Sequence, residues 1–415
     1  SEVPPVVGGV HAEARRLGIP IEHRSHSLNR VVERFFSLGV SGTNGKGTVS
    51  SMLTVILEAW GVTPSFLIGG MLNNYGTNAR ISDSEHLVVE IDESDGSLVN
   101  VRPDVAILTN LELDHLNYYA CFEEVLAKVG QFLIENQRLR FAVVQSSDEG
   151  SRSLLTLLQE SSNIRAVTFS SDPAYPADYI ARDVVFDGPS SSFDVWHEGE
   201  QGPEKLGRVT LPCPGLYNVE NALAAIAASV EIGAPFGAIQ EGLGRYAGLN
   251  NRFTMARVGG STIIKDYISH PTGMRRVLRS LRQIVGPELP IVAIFKPYRY
   301  TMIRYLGDEY ARSFEDADHV VVTDMWEANE EPIPGINTAY LVDKIRDHKT
   351  KTHGAQVAHV PDMGEVLDYV LGKVEGPLAA IFFGGDDLFE EADLLCKRLA
   401  PGDRDGSSAD GGTRP

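Results

Sequence analysis

Nine residues, Val40-Ser-Gly-Thr-Asn-Gly-Lys-Gly-Thr48, place three glycines, one lysine and two threonines directly before an apolar stretch of helical length, Val49 to Trp60. A chain written this way has few options beyond strand, tight turn and helix. Glycines let backbone N–H groups approach an anion closely, and the start of a helix adds a favourable partial charge. Gly42, Thr43, Asn44, Gly45, Lys46, Gly47 and Thr48 are therefore the candidate phosphate-binding residues. Lys46 supplies a point charge for terminal phosphates, and Thr48 a hydroxyl for magnesium. The glycines stand closer together than in the general GxxxxGK[ST] loop, and Gly47 takes the usual hydroxyl position.

Two acidic stretches extend this chemistry. In Leu87-Val-Val-Glu-Ile-Asp-Glu-Ser-Asp-Gly-Ser97 a predicted strand delivers Glu90 at or near its end, where a carboxylate is a hard oxygen ligand for magnesium. A further strand, Val105 to Leu108, leads into Thr109-Asn-Leu-Glu-Leu-Asp-His-Leu-Asn117, so Asp114 and His115 follow a strand end. In open parallel sheets ligands bind there, which would bring both stretches and the glycine turn to one crevice.

Elsewhere, strand-sized apolar runs alternate with amphipathic helical segments, the pattern of parallel α/β domains. The length of 415 residues calls for two or three domains. We expect a connector over residues 1–37, a central domain over 38–248, a C-terminal domain over 249–400 and a disordered Gly/Ser/Asp-rich tail over 401–415. Pro212 to Asn221 leads into a predicted helix, Ala222 to Ile232, and Gly248 to Phe253 precedes a predicted strand, Thr262 to Lys265. A net charge of −19 argues against nucleic-acid binding, which needs basic patches. No apolar run has the length of a membrane helix, and no leader is evident, so a cytoplasmic protein is expected. Cys121, Cys213 and Cys396 form no CxxC pair and are expected to be buried thiols.

Taken together and in order, GTNGKGT, EIDESDGS and TNLELDHLNYY resemble the Mur ligase superfamily. Gly215-Leu-Tyr-Asn-Val-Glu-Asn221 is similar to the family's GxHNxxN helix start beside adenine, carried here by Asn218 and Asn221. Gly248-Leu-Asn-Asn-Arg-Phe253 resembles its GxxxRF element, with Arg252 at the terminal phosphate. Further resemblance, in Asp266 to Pro271, Phe295 to Tyr300 and Asp324 to Glu330, is to the branch that adds L-alanine to UDP-N-acetylmuramate. The absence of lysine between Lys128 and Lys205 fits that branch, because other members carry a carbamylated lysine there.

The resemblance implies a P-loop ATPase-like central domain and a Rossmann-like C-terminal domain. It implies an ATP- and magnesium-dependent ligase that activates a carboxylate as an acyl phosphate and joins it to an amine. Lys46, Glu90, His115 and Arg252 would be catalytic, Thr48 and Glu90 would hold one magnesium, His115 a second, and Asp266 the ribose. The substrate side would comprise Tyr267, Ser269, His270, Lys296, Tyr298, Arg299 and Met302.

Several positions depart from that branch. Ser269 replaces the first histidine of DDYxHHP, Met302 replaces the second arginine of FQPHRYTR, Asn251 replaces the first arginine of RRF, and Asn117 replaces the final aspartate of DHxD. Arginine grips a carboxylate through a bidentate fork that methionine cannot offer. Few residues precede the glycine turn, and Ala12 to Leu28 resembles a connector, so natural absence of the family's UDP-sugar domain is expected rather than truncation. The first expectation is therefore a ligase for small carboxylates and amines outside UDP-sugar chemistry, in a specialised pathway. The alternatives are a wall-precursor ligase using a separate sugar-binding domain, and a nonligating ATP-binding partner subunit. Oligomeric state is not legible.

Overall fold

In a computed structural model, which describes residues 5–161, 163–352 and 356–400, the apolar runs become strands of two sheets. The larger contains β1 (Phe36–Ser41), β2 (Ser65–Leu72), β3 (Thr77–Arg80), β4 (His86–Glu90), β5 (Val105–Leu108), β6 (Phe141–Gln145), β7 (Ala166–Ser170), β8 (Tyr179–Asp187), β9 (Ser190–Gly199) and β10 (Gly202–Leu211). Their order is β10-β9-β8-β7-β6-β5-β1-β4-β2-β3. The strands from β8 to β2 are parallel neighbours, and β3, β9 and β10 are added as antiparallel edges. The smaller sheet contains β11 (Thr254–Val258), β12 (Ser261–Asp266), β13 (Ile291–Phe295), β14 (His319–Val322), β15 (Gln356–His359) and β16 (Ala379–Phe383), in the order β11-β12-β16-β13-β14-β15. All its pairings are parallel except β11 with β12.

Both faces of each sheet are covered by helices, which explains the uninterrupted apolar runs. β5, β6, β13 and β16 are buried at every residue. On the larger sheet, Lys46–Ala59 and Leu216–Glu231 pack one face, with Met52, Ile56, Leu223 and Ile226 in its core. Phe122–Ile134 and Glu149–Ser161 cover the other through Val129, Phe132, Leu154 and Leu158. On the smaller sheet, Pro271–Val285 and Tyr300–Ser313 lie opposite Met363–Lys373 and Asp386–Leu399.

β5 has the expected bounds, and Glu90 is the last residue of β4. The helices expected from Val49 and Ala222 begin earlier, at Lys46 and Leu216, because Gly45 and Gly215, each at φ 91°, are their N-caps. The cysteines are free but half-buried rather than buried, since Cys121 caps a helix and Cys213 faces the cleft described below. The expected tail, 401–415, lies outside the described residues. Among described residues no helix is long and apolar enough to cross a membrane.

Candidate active site

β1 stands between β4 and β5, so the segments leaving their C-terminal ends are neighbours. They form the floor of a cleft of about 940 Å³ between the two sheets. One wall carries Thr43, Asn44, Gly45, Lys46, Gly47, Thr48, Glu90, Asn218 and Asn221, and the other carries Arg252, Asp266 and Tyr267. No side chain caps the Lys46 helix, which leaves its first-turn N–H groups available to an anion. Gly45 is required twice over: its φ is left-handed, and a Cβ there would lie 2.3 Å from Asn221 Oδ1. At Gly47 a Cβ would come within 2.9 Å of Leu249 Cδ1 and 3.3 Å of Glu90 Oε2, so a side chain there would have to displace the ends of both.

Glu90 Oε2 accepts the Gly69 N–H at 2.8 Å, which fixes the carboxylate at the cleft wall. Thr48 and Glu90 offer a hydroxyl and a carboxylate to the same space. Hard oxygen donors of this kind, few in number, suit magnesium, which keeps several waters and takes its other ligands from phosphates. Consistent with that, the described residues contain no cluster of three or more His, Cys, Asp and Glu side chains fit to hold a metal alone.

Lys46 folds back over its own turn. Its Nζ donates to Gly42 O at 2.7 Å, Thr43 O at 3.2 Å and Glu93 Oε1 at 2.9 Å. Burial disfavours the ammonium, but the Glu93, Glu90 and Asp92 carboxylates outweigh it and hold its pKa above the usual lysine value. Glu93, 3% exposed, is a site residue beyond the sequence candidates. The same oxygen, Oε1, meets His115 Nε2 at 3.1 Å. Burial disfavours the imidazolium, yet Glu93 and Asp114 together raise the His115 pKa. His115, at φ 53°, reaches Glu93 and does not line the cleft.

Across the cleft, Asp266 is 4% exposed and accepts the N–H groups of Phe253 and Ile268 at 3.1 and 3.0 Å. Burial raises its carboxyl to about 6 against the pull of Arg252 and those two bonds. The Arg252 guanidinium lies 5.6 Å from the Tyr267 ring centroid. The other substrate-side candidates are not part of this cleft wall. Ser269 O accepts from Tyr310 Oη at 2.7 Å, and His270, 6% exposed, lies 3.6 Å from Glu112 Oε2. Thr272 Oγ1 donates to that Glu112 oxygen, so this contact joins the halves on either side of the cleft. Lys296 is paired with Asp387. The Tyr298 ring lies tilted against the exposed Trp326, centroids 5.0 Å apart, and Arg299 reaches Tyr298 Oη at 3.1 Å and Glu330 at 3.5 Å. Met302 differs from its expected place, because its helix turns it into the core beside Ile303, where it is 4% exposed.

Residues 40–229 match the family model of the Mur ligase middle domain, and residues 251–385 match that of the Mur ligase glutamate ligase domain. The UDP-N-acetylmuramate–L-alanine ligase of Pelotomaculum thermopropionicum is 33% identical over 388 residues, covering 93% of this chain and 81% of the relative. That of Pelobacter propionicus is 34% identical over 389 residues, with coverages of 93% and 81%. Among solved structures, the UDP-N-acetylmuramate–alanine ligase of Thermotoga maritima superposes with a TM-score of 0.72 at 23% identity, covering 93% of this chain and 81% of its own. MurF ligase from Thermotoga maritima, solved in complex with ADP, gives 0.67 at 16% identity, with coverages of 91% and 84%. These structures share the fold, while the two family models and the sequence relatives define the kinship. The matched segments meet the cleft from opposite sides, and the chain belongs to the Mur ligase family, whose ATP- and magnesium-dependent members form a carbon–nitrogen bond.

Proposed function

We propose that the chain joins the carboxylate of a UDP-N-acetylmuramate-type donor to the amine of an amino acid, through an acyl phosphate made from ATP. The observation that carries this reading is the 33% identity, over 93% of the chain, to a ligase named for that donor. It favours the wall-precursor alternative over the first expectation, a donor outside UDP-sugar chemistry. The donor's carboxylate oxygen takes the terminal phosphoryl group and ADP leaves. The amine nitrogen then attacks the acyl carbon, phosphate departs with that oxygen, and the nitrogen loses a proton.

In this reading residues 38–248 hold the nucleotide and residues 249–400 close over it. Lys46 and the first-turn N–H groups take the terminal phosphates, Asn218 and Asn221 flank the base, Asp266 meets the ribose and Arg252 the terminal phosphate. Magnesium bound by Thr48 and Glu90 would neutralise charge on the transferring group. His115 serves from behind Lys46, through Glu93. Arg299 is the carboxylate fork for the amino acid, with Tyr267, Ser269, His270, Lys296 and Tyr298 nearby in the sequence motifs. With Met302 where the branch carries a second arginine, Arg299 has no arginine beside it in the motif, which favours an amine other than alanine.

The test is ADP and phosphate release with UDP-N-acetylmuramate and each amino acid in turn, with mass spectrometry of the amide. Turnover with simple carboxylates and none with the UDP-sugar would reverse the choice of donor.

A further inference from the structure

We propose that Glu93 is a positioning residue that holds Lys46 back from the phosphate path until nucleotide displaces it, and couples that release to His115. An ammonium has three protons, and all three of Lys46 are engaged, by Gly42 O, Thr43 O and Glu93 Oε1. A phosphate oxygen can gain one only if a bond is given up. The two carbonyls are neutral and belong to the turn itself, whereas Glu93 is anionic and is repelled by an incoming polyanion. Its bond is therefore the one that breaks.

The surroundings of Glu93 make the exchange specific. At 3% exposure the carboxylate cannot swing into water, and the Tyr119 hydroxyl pins its backbone carbonyl at 2.7 Å. Oε1 serves Lys46 and His115 together, while the buried Oε2 has no hydrogen-bond partner among the described residues. Among the described residues, departure of Lys46 leaves His115 as the only side chain bonded to that carboxylate, so occupation of the phosphate site is felt at the imidazole on the far side.

The inference rests on the nucleotide-site reading above and is tested by calorimetric titration with ADP in the absence of metal. Glu93→Gln should bind ADP about tenfold more tightly than wild type, the size of one charge-assisted bond that no longer has to break. Its kcat should fall, because His115 loses its anionic partner. In a Lys46→Met background the same substitution should leave ADP affinity unchanged, since nothing remains to be released. Unchanged or weaker ADP binding by Glu93→Gln, or equal tightening in both backgrounds, overturns the proposal. If Glu93→Gln does not fold, Glu93→Asp replaces it: the shorter arm cannot reach both partners, so it too must tighten ADP binding. Failure of the wild-type protein to bind ADP at all would instead overturn the nucleotide site, and the proposal with it.

Discussion

Thr272 Oγ1 donates a 2.6 Å hydrogen bond to Glu112 Oε2, tying the first helix of the smaller sheet to the segment that follows β5. Arg276 and Glu220, 3.4 Å apart, add a second link between the same halves. Both links join the halves that flank the cleft, so they act on how closely its walls approach.

Glu112→Ala should therefore impair the joining reaction while sparing the fold. Removing a hydrogen bond to a charged group costs about 1.5–3 kcal/mol, and we expect kcat/KM to fall at least tenfold. Small-angle scattering should show a larger radius of gyration. Unchanged kinetics together with an unchanged scattering profile would make the contact incidental.

Gly45→Ala should damage nucleotide binding more than stability. The left-handed backbone costs roughly 1–3 kcal/mol with a side chain, and the new Cβ meets Asn221. ADP affinity should fall by more than about tenfold. Adding Asn221→Ala should restore part of the loss, by relieving the collision but not the backbone strain. Titration calorimetry on both variants decides this, and full affinity in the single variant would refute it.

Glu90→Gln removes a charge from the cleft wall while keeping an oxygen that can accept from Gly69 N–H. Half-saturating magnesium should rise, and kcat should drop roughly a hundredfold, as when one transition-state contact is lost. A magnesium titration that superposes on wild type would place the ion elsewhere.

Stability should carry the signature of Asp266, whose carboxyl burial raises from 3.8 to about 6. A carboxyl raised on folding destabilises the native state where it is ionised, above about pH 6, and the cost disappears as pH falls towards its unfolded value. Wild-type stability relative to Asp266→Asn should thus decrease from about pH 4 to about pH 6 and then level off, by up to roughly 3 kcal/mol. Denaturant melts of both proteins at stepped pH provide the comparison, and a pH-independent difference would contradict it.

Strand ends were the most legible part of the site. Glu90 and the residues after Leu108 could be placed from apolar runs alone, because strands buried on both faces leave an unmistakable trace. Apolar runs alone place the helix starts at Val49 and Ala222, after the true ones, since Gly45 and Gly215 look like loop residues until their φ values show them to be caps; only the family resemblance marks a helix start at Gly215. Glu93 was invisible for a different reason. It lies among Asp92, Ser94 and Asp95, and composition does not reveal which carboxylate of such a run is turned inward beneath a lysine 47 positions earlier. The Thr272–Glu112 contact joins residues 160 positions apart, and the burial of Met302 could not be foreseen because a motif match does not report which side of its helix faces the core.

The central position of β1 has a consequence for how the protein is made. Phe36 pairs with His86 on one side and Leu38 with Val105 on the other, so the glycine turn leaves the ribosome well before either flank exists. Closing such distant pairs is slower than forming a local helix. A nascent chain that ends before β5 carries the phosphate motif but no phosphate site. Stabilisation by nucleotide therefore falls on chains in which the middle of the larger sheet has assembled, because only there is the site complete.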